Sequence, residues 1–184
     1  EHQLFAVCVN SCWVEHARNH LADTDVLVAT VVGFPLGASD SDSKRYETEA
    51  AVDSGAHEID MVMNLGRFID GDHQYIVREI RDVVEAAEDR RVKAIIETGY
   101  FNDEQIATAC KLAVTAEAHF VKTSTGFGPG GATIEHVQLM RETVNQYAGV
   151  KASGGIRDRE TALAMIEAGA TRIGTSSGVS IVGG

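Results

Sequence analysis

The stretch "AEAHFVKTS" (116–124) decides the fold, because two other parts of the chain repeat its plan. Each copy leaves a predicted helix, passes an alanine and enters a short strand; the other copies are "SGAHEIDMV" (54–62) and "AGATRIGTS" (168–176). Four residues beyond this alanine, the three copies carry Lys122, Asp60 and Gly174, respectively. These residues hold equivalent positions in their strands, so we expect all three positions to point to the same face of the sheet.

Strand-length and helix-length segments alternate along the whole chain. The apolar runs predict strands at 5–10, 26–32, 58–64, 92–98, 119–124, 149–153 and 172–176. The segments between them predict helices near 11–22, 40–54, 72–89, 103–116, 133–147 and 158–168. Asp103, Thr133 and Asp158 are expected as N-caps without complete capping boxes. This alternation, with no linker, predicts one parallel sheet in a single domain over 1–184, either a barrel or a doubly wound sheet.

The charged residues at equivalent strand positions favour the barrel. Pointing outward, Asp60 and Lys122 would be buried beneath helices; pointing inward, they would meet at the mouth, where such barrels carry their chemistry. Only seven strands are predicted, and an open sheet of seven would leave two unpaired edges. We therefore predict a (β/α)8 TIM barrel of the α/β class that lacks its first β/α unit. Glu117 stands where the other copies have Gly55 and Gly169, at helix ends that favour positive φ.

Composition and charge exclude several classes of protein. The 184 residues are 44% hydrophobic and 23% charged, as in an ordinary globular domain. The net charge of −11 argues against nucleic acid as a partner, because binding a polyanion depends on lysine and arginine. The sequence contains no membrane-length apolar run and no signal-peptide pattern, so we expect a cytoplasmic protein without a membrane partner. Three scattered cysteines do not form a disulfide framework, which fits a reducing compartment.

One group of potential metal ligands stands out near the beginning of the chain. Cys12, His16 and His20 are spaced at four-residue intervals and could share one helix face. A metal site is one interpretation, and a partly exposed helix surface is the other. The chain offers no second pair with ligand spacing, so we favour the surface and expect no metal.

Two lysines occupy unusual positions within apolar strands. Lys122 in "HFVKTS" and Lys151 in "GVKAS" are either structural lysines, paired or reaching solvent, or amines made nucleophilic by a lowered pKa. If the two ammonium groups lie close together, their repulsion lowers the pKa of one of them, so that it becomes a free amine. Asp60 could hold the remaining cation and relay protons through water. The combination predicts covalent chemistry on a carbonyl group.

Two glycine-rich turns suggest where a phosphate group would bind. "SGGI" (153–156) follows the strand of Lys151, and "GTSSG" (174–178) follows the last strand. Both place backbone N–H groups and serine hydroxyls where an anion can be held. Phosphate sites after the last two strands are frequent in such barrels.

Several motifs together resemble the 2-deoxyribose-5-phosphate aldolase family of class I aldolases. The resemblance runs from about residue 5 to 182 and is carried by "TVVGFPLG", "EIDMVMNLG", "VKTSTGF", "GATIEHVQLM", "VKASGGIR" and "AGATRIGTSSGVSIV". It implies a TIM barrel without metal or other cofactor, a lyase of deoxyribose phosphate catabolism. The reaction implied is reversible cleavage of 2-deoxyribose 5-phosphate to acetaldehyde and glyceraldehyde 3-phosphate.

The same resemblance assigns roles to individual residues. Lys122 would form the Schiff base, Lys151 would tune it, and Asp60 would relay protons. The phosphate and substrate site would comprise Thr125, Gly126, Gly154, Gly155, Gly174, Ser176 and Ser177. The expected partner is a small phosphorylated sugar or aldehyde, and a homo-oligomer is possible.

Two other functions fit the residues. One is another lysine-dependent, phosphate-binding barrel aldolase that acts on a different carbonyl compound. The other is a catalytically silent, incomplete barrel that serves as a binding protein. Trapping of an adduct on Lys122 would separate the enzymes from the binding protein.

Overall fold

A single parallel sheet forms the centre of the protein. The computed structural model describes residues 2–183, and its seven strands pair in chain order, each with the next. The strands are β1 Ala6–Val9, β2 Leu27–Val32, β3 Glu58–Val62, β4 Arg91–Ile95, β5 Phe120–Lys122, β6 Gly149–Ser153 and β7 Arg172–Gly174. All seven predicted strands are present, and several are shorter than expected.

Helices follow the strands. They are α1 Val14–His20, α2 Ser41–Asp53, α3 Leu65–Ile69, α4 His73–Ala86, α5 Asp103–Thr115, α6 Ile134–Val144, α7 Arg159–Glu167 and α8 Gly178–Gly183. The sequence did not predict α3 and α8, which are short. Within residues 2–183, no helix is both long and apolar enough to cross a membrane.

Two local predictions at helix ends were wrong. Asn102, and not Asp103, caps α5, and Gln105 completes a capping box with it; Asp103 is the first helical residue. Cys12 lies in a 3-10 turn before α1, so it does not continue the helix face of His16 and His20. The two imidazole rings do approach each other, with centroids 4.1 Å apart. Among residues 2–183, no three side chains of metal-binding type come together.

The sheet curls into an incomplete barrel. Glu58 on β3 and Arg172 on β7 have three strands between them, so in a flat sheet they would be about 19 Å apart. The guanidinium of Arg172 nevertheless donates a hydrogen bond to Glu58 over 2.8 Å. Within the described residues, β1 pairs only with β2 and β7 only with β6, so the sheet remains open between β7 and β1. The predicted (β/α)8 barrel lacking one β/α unit is confirmed as an incomplete barrel of seven strands.

The two faces of each strand have opposite character. The outward residues pack against the helices and form the apolar core, including Ile59 and Met61 on β3 and Val150 on β6, all fully buried. Burial of such a side chain contributes about 1.5–3 kcal/mol. The inward residues of the same strands include Asp60 and Lys151, which meet inside the barrel. The period of two along each strand thus separates the core from a charged interior.

Three equivalent helix ends explain the repeated sequence pattern. Gly55, Glu117 and Gly169 follow α2, α5 and α7 with φ of 94°, 65° and 108°, the left-handed region that terminates helices. Glu117 therefore adopts the positive φ that glycine adopts at the two equivalent helix ends. Each end returns the chain to the sheet in the same way, which brings Asp60, Lys122 and Gly174 to the same inward-facing side of the sheet.

Candidate active site

Lys122 ends the short strand β5 and points into the barrel. It pairs in register with Lys151 on the neighbouring strand β6, so both side chains leave the sheet on the same side. They are 5% and 6% exposed, respectively. Lysine is rarely buried without a partner, so each ammonium group requires an acceptor inside the barrel.

Asp60 on β3 supplies that acceptor from across the barrel. Its Oδ2 atom accepts hydrogen bonds from Nζ of Lys122 at 2.8 Å and from Nζ of Lys151 at 2.6 Å. The two nitrogen atoms are therefore no farther apart than the sum of these distances. The other oxygen, Oδ1, accepts from Nζ of Lys93 on β4 at 2.7 Å. The two lysines that the sequence singled out thus share one carboxylate oxygen.

Burial and charge affect the two amines differently. Burial lowers the pKa of Lys122; the attraction of Asp60 opposes this, and the ammonium group of Lys151 adds to it. Burial also acts against the charge of Lys151, but Asp60 outweighs it and the pKa of Lys151 is raised. Lys122 is therefore the amine that loses its proton more readily. Repulsion between the two lysines, which the sequence predicts as the cause, contributes, but burial is the larger cause in the structure.

The same cluster keeps Asp60 ionised. Burial alone would raise the pKa of this carboxyl group, but Lys122, Lys151 and Lys93 outweigh burial and hold the pKa well below its usual range. Asp60 is completely buried and lies beneath the cavity described next. It can orient the amines, but a permanent carboxylate stores a proton poorly.

A cavity of about 690 Å³ opens above the two lysines. Most of the predicted site residues line it: Lys122, Thr125, Gly126, Lys151, Gly154, Gly155, Gly174 and Ser176. Ser177 is not among the lining residues; its N–H donates to the hydroxyl of Thr175, and its carbonyl oxygen accepts from the N–H of Ile181 in α8. The predicted role of Ser177 in binding the phosphate group stays a prediction. Asp60 does not line the cavity itself, but it contacts the amines of Lys122 and Lys151, which do.

The loop after β5 is fixed at the edge of the cavity from two sides. The carboxylate of Glu97, itself 1% exposed, accepts hydrogen bonds from the N–H and the hydroxyl of Thr125. Farther along the loop, Ala132 donates to the carbonyl of Gly154 at 3.0 Å. A Cβ atom on Gly131 would lie 2.3 Å from that carbonyl oxygen, so only glycine allows this approach. The loop after β5 is therefore held in a defined position relative to the glycine-rich turn at 153–156.

Sequence reasoning missed several residues of the site. Arg157, Phe34 and Cys8 line the cavity, and Lys93 contacts Asp60 from below. A signal for Lys93 was present, because "RVKAI" places a lysine after a valine in a strand, as "FVKTS" and "GVKAS" do. Arg157 ends the "SGGIR" turn and could have been read as a cation beside a phosphate site.

These features define a class of enzyme. A parallel barrel with a buried pair of lysines beneath a cavity bordered by glycine-rich turns is suited to covalent carbonyl chemistry through a lysine. The chain belongs to the DeoC/LacD family of aldolases, since the sequence model of that family matches residues 2–182. The family predicted from the motifs is thus confirmed.

Individual relatives agree with this assignment. A deoxyribose-phosphate aldolase from Enterococcus faecalis is 54% identical over 185 residues, covering 100% of this chain and 84% of the relative. Among solved structures, an aldolase named QR15 superposes with a TM-score of 0.95 at 44% identity, covering 99% of this chain and 81% of that one. A tetrameric deoxyribose phosphate aldolase from Aeropyrum pernix superposes with a TM-score of 0.89 at 30% identity, covering 96% and 75%.

Proposed function

We propose that this chain is a class I aldolase that reversibly cleaves 2-deoxyribose 5-phosphate to acetaldehyde and glyceraldehyde 3-phosphate. The names of its relatives support the substrate. One observation carries the mechanism: the amines of Lys122 and Lys151 share a single oxygen of Asp60 beneath an open cavity. Two amines that compete for one acceptor cannot both be well stabilised as cations, so one is available as a nucleophile.

We assign the nucleophile to Lys122, because its pKa is lowered while that of Lys151 is raised. The neutral amine adds to the C1 aldehyde of the open-chain sugar, and loss of water gives an iminium ion. Products of two and three carbons require the C2–C3 bond to break. Its electron pair moves towards the iminium nitrogen and forms an enamine, while the C3 hydroxyl loses its proton and becomes the aldehyde of glyceraldehyde 3-phosphate.

The remaining steps require a proton donor and a fixed geometry. We assign proton storage to Lys151, which stays charged at neutral pH and lies beside Lys122. It donates a proton to the departing hydroxyl when the iminium ion forms, and the neutral amine that results accepts the proton of the C3 hydroxyl as the C2–C3 bond breaks. Lys151 then passes this proton to C2 of the enamine, directly or through water, and regains one when the iminium ion is hydrolysed. Water then hydrolyses the iminium ion, which releases acetaldehyde and restores Lys122. Asp60 holds both amines in place and stays a carboxylate throughout.

The phosphate group would bind at the glycine-rich rim. Gly154, Gly155 and Ser176 line the cavity together with Arg157. Backbone N–H groups at such turns, supplemented by a guanidinium group, form a suitable anion site. This places the phosphate end of the sugar at the rim and directs C1 towards Lys122.

Trapping of the iminium intermediate tests the proposal directly. The protein is incubated with acetaldehyde, reduced with borohydride and digested, and the modified peptide is identified by mass spectrometry. We expect one ethyl group on Lys122 and none in Lys122→Ala, provided that circular dichroism shows this variant to be folded. Lys111→Ala serves as the control, because Lys111 is the one exposed lysine among five and lies on α5.

The substrate is tested separately with 2-deoxyribose 5-phosphate and 2-deoxyribose. We expect rapid carbon–carbon cleavage of 2-deoxyribose 5-phosphate but not of 2-deoxyribose. This activity should be lost in Lys122→Ala. An acetaldehyde adduct on Lys122 without cleavage of 2-deoxyribose 5-phosphate would favour a lysine-dependent aldolase with another substrate. Absence of any adduct on Lys122 would instead favour a silent binding protein.

A further inference from the structure

A chain of alternating charges continues below the lysine pair. Lys93 lies between two carboxylates: its Nζ is 2.7 Å from Oδ1 of Asp60 and 2.9 Å from Oε2 of Glu58. Glu58 in turn accepts two hydrogen bonds from Arg172, at 2.8 and 3.3 Å. Lys93, Asp60 and Glu58 are at most 2% exposed. The proposed chemistry at Lys122 does not use Lys93, Glu58 or Arg172 directly.

Arg172 is itself held firmly at the end of the chain. Its guanidinium carbon lies 3.9 Å from the ring centroid of Phe5 and 5.5 Å from that of Phe120. Contacts of this kind favour a cation over the aromatic face. The two-pronged pairing with Glu58 adds a fixed orientation. Glu58 is thereby kept in place as the second partner of Lys93.

We propose that Lys93, supported by Glu58 and Arg172, is a positioning residue that occupies Oδ1 of Asp60 and so leaves Lys122 and Lys151 to compete for Oδ2. Without Lys93, Asp60 could offer one oxygen to each active lysine and stabilise both as cations. With Lys93 present, only one oxygen remains for two amines. This inference rests on the proposed role of Lys122, and it adds the reason why that lysine is free to react.

The charge balance leads to the same conclusion. The groups that face Lys122 inside the barrel are Cys8 on β1, Glu58 and Asp60 on β3, Lys93 on β4, Lys151 on β6 and Arg172 on β7. With Lys122 charged and the thiol neutral, the cluster contains four cations and two carboxylates. Loss of a proton from Lys122 relieves this excess. Removal of the positive charge of Lys93 weakens that drive, whereas removal of the negative charge of Glu58 strengthens it.

The two substitutions therefore have opposite effects on Lys122. In Lys93→Met, Asp60 retains two lysine partners and Glu58 retains Arg172, so no carboxylate is left unpaired. In Glu58→Gln, Lys93 retains Asp60. We expect the proton of Lys122 to be lost at higher pH in the first variant and at lower pH in the second. The double variant should return towards the wild-type behaviour, which general destabilisation would not produce.

The experiment measures the reactivity of Lys122 without relying on the sugar. The intact protein is labelled briefly with formaldehyde and cyanoborohydride over a range of pH, and methylation of the Lys122 peptide is quantified by mass spectrometry. We expect several-fold slower labelling of Lys122 at neutral pH in Lys93→Met and faster labelling in Glu58→Gln. Lys111→Met should leave the labelling profile of Lys122 unchanged.

The outcomes separate this inference from the proposed function. Shifts in the same direction in both single variants, or no shift in either, would overturn the role of Lys93. Opposite shifts together with wild-type protein that does not cleave 2-deoxyribose 5-phosphate would support the role of Lys93 and refute the substrate. Opposite shifts with normal cleavage would support both.

Discussion

Replacement of Lys44 by methionine should destabilise the fold strongly, because it breaks a fully buried ion pair outside the barrel interior. Nζ of Lys44 on α2 donates to Oε1 of Glu79 on α4 at 2.6 Å, and to the carbonyl groups of Gly37 and Val62 at 2.9 and 2.8 Å. The second oxygen of Glu79 accepts from the N–H of Asn64 at 2.9 Å. Both side chains are 0% exposed.

The expected loss follows from what methionine leaves behind. Removing one member of a buried ion pair costs about 3–5 kcal/mol, because the other charge remains buried without its partner. The two carbonyl groups also lose a donor, at about 1–3 kcal/mol for each that water cannot reach. Burial raises the pKa of Glu79 even in the intact pair, so the carboxyl group can take up a proton and limit the penalty. We therefore expect the free energy of unfolding to fall by about 4 kcal/mol at neutral pH.

Urea denaturation followed by circular dichroism measures this loss. Arg45→Met is the matched control: Arg45 is the next residue on α2, its ion pair with Glu49 is exposed, and no measurable change is expected. Lys44→Met combined with Glu79→Leu should lose less stability than Lys44→Met alone, since no unpaired charge remains. A loss below about 1 kcal/mol in Lys44→Met would refute the reasoning.

The pH dependence gives a second check on the same variant. Without Lys44, the folded state raises the pKa of Glu79 above its value in the unfolded chain, because the buried carboxylate has lost its cation. A raised carboxyl pKa means that the folded state binds the proton more tightly. Stability is then retained at low pH and lost as the pH rises through the raised pKa. The difference in the free energy of unfolding between Lys44→Met and wild type should therefore become smaller as the pH falls.

Three further predictions concern the site and the helix ends. Lys151→Leu removes a cation beside Lys122 and should move the pH profile of borohydride trapping to higher pH; an unchanged profile would show that the two amines do not interact. Gly131→Ala places a Cβ atom against the carbonyl of Gly154 and should raise KM for the sugar phosphate more than it lowers kcat, as steady-state kinetics would show. Glu117→Gly relieves a positive φ and should raise the free energy of unfolding by about 1 kcal/mol in urea denaturation; an unchanged value would show that the glutamate conformation is unstrained.

Local sequence patterns predicted the barrel and the lysine pair for a physical reason. Side chains alternate with a period of two along a strand, so the repeated passage from helix through alanine to strand fixes which residues face inward. That rule placed Asp60 and Lys122 on one face, and the matching "VK" positions of β5 and β6 added Lys151, which contacts the same carboxylate. Lys93 has the same valine–lysine pair in β4 and could have been found in the same way.

Other features depend on contacts that no local pattern encodes. The ion pair joins Lys44 on α2 to Glu79 on α4, 35 positions apart in the sequence. Nothing in the local sequence distinguishes either residue from an exposed lysine or glutamate on a helix surface. The N–H of Ser177 donates to the hydroxyl of Thr175, a contact that the "GTSSG" motif alone did not indicate. Helix ends also shift by one residue with the choice of cap, as at Asn102.

The barrel interior is arranged for charge at the expense of stability. Barrels of this type are ordinarily filled by branched apolar residues, and replacing a buried ion pair by such residues is often neutral or stabilising by about 1–4 kcal/mol. Here the inward face carries Glu58, Asp60, Lys93, Lys122, Lys151 and Arg172. Folding alone gives no reason for more cations than carboxylates on this buried face. The proposed role of Lys122 as a nucleophile does give one, since burial and the neighbouring ammonium group of Lys151 both lower the pKa of its amine.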